Sequence, residues 1–503
     1  MAGRRGDDLL LLTLGRDGLR YLTGLAGDSF AELFEASLLH PEVVYIPAPD
    51  PQTVLALADG LARATGGPVV VNLRYAPPFD SDPWAALGLP AVILTGLDLR
   101  LPAKARLHPA NPAELVEGIR VAARTAILPP AGPVQVAFGA ELLTALGPAE
   151  VPYLRRQFLP LNQPPDPDAV REAADLLLAA ERPVLVAGPE LVRYGAVEEA
   201  VALAELLGLP VFLDPAPGPY PGFPTGHRAC FGYPAPEEFV WTGADLVVVA
   251  GRLRPSPCPD PLLEILPPGA QVLAVSPWGP EWVAAHGRGL ELVADPGSGL
   301  RALRARVEGW LTTAEARQAG ERARLLRAPA APTDQDPVVG AVVDYLGDEG
   351  ILLVEDPAVT AAWVRRPDPA TIWPVLPGVR GWGAAAAVGA WLGLPTRRHV
   401  ALVDDAGLIG GLGGLWVAAR FRLPVRIVVR NRRAYGGVTA ALKRRGIRGL
   451  DEAELARLDE PVPDLKALTG AFGVEFRQVP AADLGTALKE ALGSDGPVVI
   501  EAC

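Results

Sequence analysis

Short apolar runs rich in Val, Ile and Leu recur along the chain, separated by longer stretches whose apolar positions return every three or four residues. In the first third, residues 43–46, 69–73 and 91–95 read as buried strands, with a helix over 51–65. In the second, the strands are 183–187, 210–213, 246–250 and 271–275, with a helix over 198–207. In the last, they are 351–354, 399–403, 425–429 and 497–500, and helices cover 384–392, 412–420 and 483–492. Strands that are apolar throughout and alternate with helices belong in parallel sheets covered on both faces. Two proline-rich polar stretches, 159–168 (LPLNQPPDPD) and 328–337 (APAAPTDQDP), lack periodicity and read as linkers. The expected architecture is three tandem doubly wound α/β domains, at 1–158, 169–327 and 338–503.

Composition narrows the classes. Half of the 503 residues are hydrophobic and 21% are charged, which excludes a disordered chain. A net charge of −12 without basic blocks argues against nucleic acid and anionic membrane surfaces as partners, although local arginines can hold a small anion. No apolar stretch is long enough for a membrane span. Near the start, Asp7 and Asp8 interrupt the approach to Leu9–Leu12, so that segment reads as a helix and not a leader. Cys230, Cys258 and Cys503 form neither a metal knuckle nor a disulfide framework, which suggests a reducing cytoplasm. Only 4 of the 46 basic residues are lysine, so an arginine cluster is less telling here than usual.

The stretch 399–437 is the richest in chemistry: a strand ends in Asp404-Asp405, a glycine-rich turn and helix follow, and a second strand ends at Asn431. Ligands of open α/β sheets bind at the carboxyl ends of strands, and a helix start after glycines favours an anion. The same residues also serve as helix caps and packing glycines. Gly381 to Ala386 fits a dinucleotide fingerprint with Asp404 as ribose acid, but Pro374, Pro377 and Gly378 stand where a clean strand is needed. Arg430, Arg432 and Arg433 suit a phosphate or form a solvated face, the second being favoured. The five histidines show no ligand spacing, and His399 reads as structural.

Ala58-Asp59-Gly60, Asn72-Leu73, Phe223–His227, Gly381–Gly383, Leu415–Ala419 and Asn431 with Tyr435-Gly436 together resemble the thiamine-diphosphate-dependent 2-oxo-acid decarboxylases and carboligases, in particular their benzoylformate decarboxylase branch. The resemblance spans nearly the whole chain. It implies pyrimidine-binding, central and diphosphate-binding domains in that order, with thiamine diphosphate and Mg²⁺ as cofactors. It also implies a homodimer or homotetramer, with Trp382, Trp391 and Trp416 flanking the interface. The family's Gly-Asp-Gly metal motif becomes Asp404-Asp405-Ala406, so Asp405 keeps the acid. Asn431 matches the first of two later asparagines, Arg432 replaces the second, liganding one, and Ala434 would offer the carbonyl. A guanidinium has no acceptor for a metal. Arg380, Trp382, Ala406, Gly407, Tyr435 and Gly436 complete the cofactor's surroundings by the same carry-over, with Trp382 in place of the apolar wedge.

The catalytic glutamate of the family falls on Pro51, which has no acid. Asp50 is a possible substitute, but Asp-Pro is also an ordinary helix start. The pocket's serine, and its histidines after Asn-Leu and in the central domain, become Asp28, Arg74 and a position near Ser256. These departures imply that the standard chemistry is lost or altered. The alternative is an active lyase or carboligase working on a 2-oxo acid through a non-standard site.

Overall fold

A computed structural model describes the chain except for residues 1–2, 27, 75, 77–87, 153–162, 217, 236–237, 254–260, 278–286, 327–335, 357–358, 360–363, 376–378, 434–457 and 459–461, and the side chains of 28–30, 32 and 261. Its strands form three parallel six-stranded sheets with helices between the strands. The first contains β1 (Tyr21–Leu25), β2 (Val44–Ala48), β3 (Val69–Asn72), β4 (Ala91–Thr95), β5 (Ala105–Leu107) and β6 (Val134–Ala137), in the order β2-β1-β3-β4-β6-β5. The second contains β7 (Pro183–Ala187), β8 (Val211–Leu213), β9 (Cys230–Gly232), β10 (Leu246–Ala250), β11 (Gln271–Ser276) and β12 (Gly289–Val293), in the order β12-β11-β10-β7-β8-β9. The third is built on β13 (Ile351–Val354), β15 (His399–Asp404), β16 (Arg426–Arg430), β18 (Val498–Ala502) and β17 (Glu475–Val479), adjacent in that order, with β14 (Ile372–Pro374) as its other edge.

The central strands are buried on both faces, as their unbroken apolar sequences require. In β7 and β10, Leu185, Ala187, Val248 and Ala250 join one core, while Val184, Val186, Val247 and Val249 join another on the opposite face. A leucine-rich helix, Gly6–Arg16, does open the described chain.

By its internal contacts the chain groups into two compact units. One comprises Met1–Phe158, Pro337–Ala358 and Val375–Cys503; the other comprises Leu159–Asp336 and Val359–Pro374. The proline-rich stretches end earlier than expected. Helices Pro167–Ala179 and Pro337–Leu346 begin on their prolines, the first capped by Asp166.

Within the first unit, the first and third sheets are joined by two helices, Pro51–Thr65 and Trp382–Gly393. Small residues bring their backbones together: a Cβ on Gly60 would collide with the Ala386 carbonyl, and one on Gly389 with the Leu57 carbonyl. Trp382 is 1% exposed in this contact, so it is buried against the chain's own helix and does not flank an open face. Trp391 and Trp416 are half-buried. Among the described residues, no helix is long and apolar enough to cross a membrane.

Candidate functional site

Parallel pairing aligns the carboxyl ends of the third sheet. Asp404, the last residue of β15, lies beside Arg430, the last of β16, which lies beside Ala502 of β18. Glu355 and Asp356 follow β13 directly, so four acids, Glu355, Asp356, Asp404 and Asp405, gather in one crevice, each at most 7% exposed.

Each acid meets a different fate. Glu355 accepts the backbone NH of Gly381 at 2.5 Å through Oε1 and that of Gly383 at 2.6 Å through Oε2, and so caps the Trp382 helix. Burial raises its pKa to about 7, aided by the Asp404 charge and opposed by those amides. Asp356 is clamped by Arg430 Nε at 3.2 Å and Arg432 Nη2 at 3.1 Å. Asp404 caps the next helix, Asp405–Gly410, through the Gly407 NH at 2.6 Å, and burial raises its pKa, with Asp405 and Asp356 adding to the effect. Neither oxygen of Asp405 has a hydrogen-bond partner among the described residues. Its pKa is raised by burial, against the pull of nearby amides at Ala406, Arg433 and Arg432.

The arginine cluster is therefore not a solvated face at Arg430 and Arg432; both are held on a buried acid, and only Arg433 is exposed. Asn431 sends Nδ2 to Glu501 at 2.7 Å, while its Oδ1 accepts the Arg433 NH at 3.2 Å. The glycines of the dinucleotide-like run present their amides to Glu355 and leave no free anion-binding turn there. Arg380 is exposed next to them, and Ala406 and Gly407 are buried in the turn after Asp405.

The residues carried by the first domain lie at the carboxyl ends of β1, β2 and β3. Asp50 is the N-cap of the Pro51 helix, with Oδ1 accepting Thr53 N at 2.8 Å and Oδ2 accepting Thr53 Oγ1 at 2.6 Å. Pro51 is the first helical residue. Arg74 is 1% exposed, with its guanidinium 5.0 Å from the centre of the Phe138 ring. Close by, Asn72 donates to Tyr45 Oη at 3.0 Å, and burial pushes the phenol up to about 12. Asp28 begins a helix, but its side chain lies outside the described residues, as do Ser256, Ala434, Tyr435 and Gly436. Trp382 does not project as a wedge: its indole is turned onto the Pro51 helix, where Nε1 donates to Asp59 Oδ2 at 2.8 Å.

The structure thus brings Arg380, Asp405, Ala406, Gly407, Asn431 and Arg432 into one crevice, and places Asp50, Pro51 and Arg74 on the first sheet. Glu355, Asp356 and Glu501 were missed from sequence, although the first two end a buried strand, where ligand-facing residues of such sheets sit. Mg²⁺ wants a near-octahedral oxygen shell. Here, among the described residues, Asp405 has two oxygens without hydrogen-bond partners and Asp404 has one, Asn431 is engaged on both sides of its amide, and Arg432 offers a cation. Among the described residues, no three Asp, Glu, His or Cys side chains form a metal-holding group. The side chains present do not fit Mg²⁺ in the family's ligand pattern.

Three family models match in order: the N-terminal TPP binding domain of thiamine pyrophosphate enzymes at residues 4–79, the central domain at 170–303, and the C-terminal TPP binding domain at 358–502. The chain belongs to the thiamine pyrophosphate enzyme family. Benzoylformate decarboxylase of Pseudomonas aeruginosa is 29% identical, over 89% of this chain and 89% of that protein. A putative acetolactate synthase large subunit of Mycobacterium tuberculosis, IlvX, is 32% identical over 32% of this chain and 30% of that protein. Among solved structures, benzoylformate decarboxylase from Polynucleobacter necessarius superposes with a TM-score of 0.80 at 23% identity, over 99% of this chain and 98% of that one. A putative thiamin diphosphate-dependent enzyme from Mycobacterium smegmatis gives 0.79 at 25% identity, over 99% of both chains.

Proposed function

We propose that this chain is a benzoylformate-decarboxylase-like member of the thiamine pyrophosphate enzyme family in which the standard thiamine diphosphate and Mg²⁺ catalysis is lost, and that it acts as a binding or scaffolding subunit of a homodimer or homotetramer. The observation that carries this reading is the start of the Pro51 helix. The family's acid position is a proline, and both oxygens of the neighbouring Asp50 are committed to Thr53. A group with no free oxygen to offer makes a poor proton-transfer partner. Arg432 in a liganding position supports the same reading from the metal side.

The test is hydrogen–deuterium exchange at C2 of thiamine diphosphate with the purified protein, alongside benzoylformate turnover. Exchange at the free-cofactor rate and no turnover are expected. Fast exchange or measurable turnover overturns the reading. Assembly is checked separately, by the mass in solution at micromolar concentration, where a monodisperse species of 52.8 kDa would exclude a dimer. A second reading, an active lyase or carboligase with a non-standard site, is favoured by one feature, the unpartnered carboxylate of Asp405.

A further inference from the structure

The crevice of the third sheet has the parts of a polyanion site: a 12-residue helix with its first amides pointing outward, a second helix start, and two arginines. Such amides and guanidinium groups are the donors that phosphate oxygens take. Here each of these donor sets faces an oxygen of the chain itself. The Gly381 and Gly383 amides go to Glu355, the Gly407 amide to Asp404, the Arg433 amide to Asn431, and Arg430 and Arg432 clamp Asp356.

The glycines serve this arrangement sterically. A Cβ on Gly383 would come within 3.0 Å of Glu355 Oε2, and one on Gly407 within 3.2 Å of Oε1 and 3.1 Å of Asp404 Oδ1. The space that glycines leave open in the two turns is therefore filled by the Glu355 and Asp404 carboxylates. With Asp356 and Asp405 added, the crevice presents four buried acids to an arriving anion.

We infer that this crevice is self-liganded: Glu355, Asp404 and Asp356 take the donors that an external diphosphate would need, so the chain excludes diphosphate-bearing ligands by carrying its own anions. The inference rests on the non-catalytic reading above and supplies its physical cause. Glu355 is the decisive residue, because it alone neutralises the start of the Trp382 helix with both oxygens.

The experiment titrates inorganic diphosphate with Mg²⁺ into the full-length protein and reads binding by calorimetry and by the shift in melting temperature. Chloride at matched ionic strength and Mg²⁺ alone serve as controls. Wild type is expected to show no saturable binding. Glu355→Ala vacates the amides and removes the carboxyl group that competes for them, and is expected to bind diphosphate at least roughly tenfold more tightly than wild type, the worth of one charge-assisted hydrogen bond.

Should Glu355→Ala fail to fold, Glu355→Gln keeps the volume, removes the charge and leaves one amide oxygen as acceptor; the same direction of change is expected. Saturable diphosphate binding by wild type overturns the inference, as does a Gln variant that binds no better than wild type. These outcomes separate from failure of the functional reading. Wild type that binds diphosphate yet shows slow C2 exchange sinks only the self-liganded crevice, whereas fast C2 exchange sinks the non-catalytic reading.

Discussion

Trp382 Nε1 donates to Asp59 Oδ2 at 2.8 Å, linking the first helix after the crevice to the helix that carries Pro51. Arg63, one turn along from Asp59, completes the contact: its Nη2 lies 2.6 Å from Asp59 Oδ2, and its guanidinium is 4.9 Å from the centre of the Trp382 ring. Side-chain exposure of both Asp59 and Arg63 is 3%. Removing one partner of a buried pair leaves the other charge without compensation. Asp59→Ala is therefore expected to cost about 3–5 kcal/mol. Trp382→Phe removes only the hydrogen bond to a charged group, with some loss of packing, and should cost about 1.5–3 kcal/mol. Urea unfolding checks both, and equal small losses would show that the contact is not a stabilising one.

The crossing of the same two helices depends on missing Cβ atoms. Gly60→Ala forces a methyl into the Ala386 carbonyl, with backbone on both sides and no flexible side chain to yield. Overpacking of this kind costs about 1–3 kcal/mol or more. Gly118 lies inside the helix Pro112–Ile127 with open space around it. There the alanine should stabilise by about 0.5–1 kcal/mol through its helix preference. Melting temperatures that move in opposite directions for the two variants are the expected result.

The central strands were legible because burial on both faces leaves an unbroken apolar signature. The expected strand at 91–95 is β4, and 246–250 is β10, residue for residue. Most of the strands that escaped have weaker signatures, but β6 (VQVA) is internal and buried along its length, and only Gln135 interrupts its apolar run. β12 (GLELV) and β17 (EFRQV) are edge strands with partly exposed residues, and β5 and β9 are three-residue edges. β1 (YLTGL) is central, but Thr23 and Gly24 break its pattern. At the third sheet, the placement of Asp405 and Asn431 just after the ends of two strands was legible from the sequence pattern. The partnership of Arg432 with Asp356 was not, because it joins residues 76 apart and exists only once the parallel register aligns the strand ends. The direction of Trp382 was hidden for the same reason: its indole hydrogen-bonds Asp59, 323 residues away.

His399 gives the protein an acid sensitivity with a definite sign. It opens β15, is 5% exposed, and its Nε2 has no hydrogen-bond partner among the described residues. Burial first, and the Arg397 charge second, push its pKa down to about 4. Between the unfolded value near 6.5 and 4, the unfolded chain holds the proton that the folded chain refuses. Stability from this group is thus complete above about pH 6.5 and falls as the pH drops, by about 3 kcal/mol at pH 4. His399→Leu should flatten that limb of the stability curve. An unchanged acid slope in the variant would assign the loss to other groups.

Asp50 distinguishes a cap from a catalyst. Its Oδ1 takes the Thr53 amide and its Oδ2 the Thr53 hydroxyl, and a Cβ on Gly413 would lie 2.8 Å from Oδ2, so the carboxylate is set against the helix Leu412–Arg420. As a cap, Asp50→Ala should cost about 0.5–2 kcal/mol of stability. Asp50→Asn, which keeps an acceptor for the amide, should cost less than the alanine variant. Neither substitution should alter C2 exchange of added thiamine diphosphate, because the carboxylate has no oxygen turned to an external proton. A catalytic carboxylate behaves in the opposite way: its loss costs roughly 10²–10⁴ in rate, and its neutral isostere fares no better than alanine because the missing function is the charge. Stability and exchange measured on the same two variants therefore separate the roles. A ranking of wild type above Asn above Ala in stability with flat exchange identifies the cap. Exchange that is fast in wild type and lost equally in both variants would make Asp50 the working acid of an altered but active site.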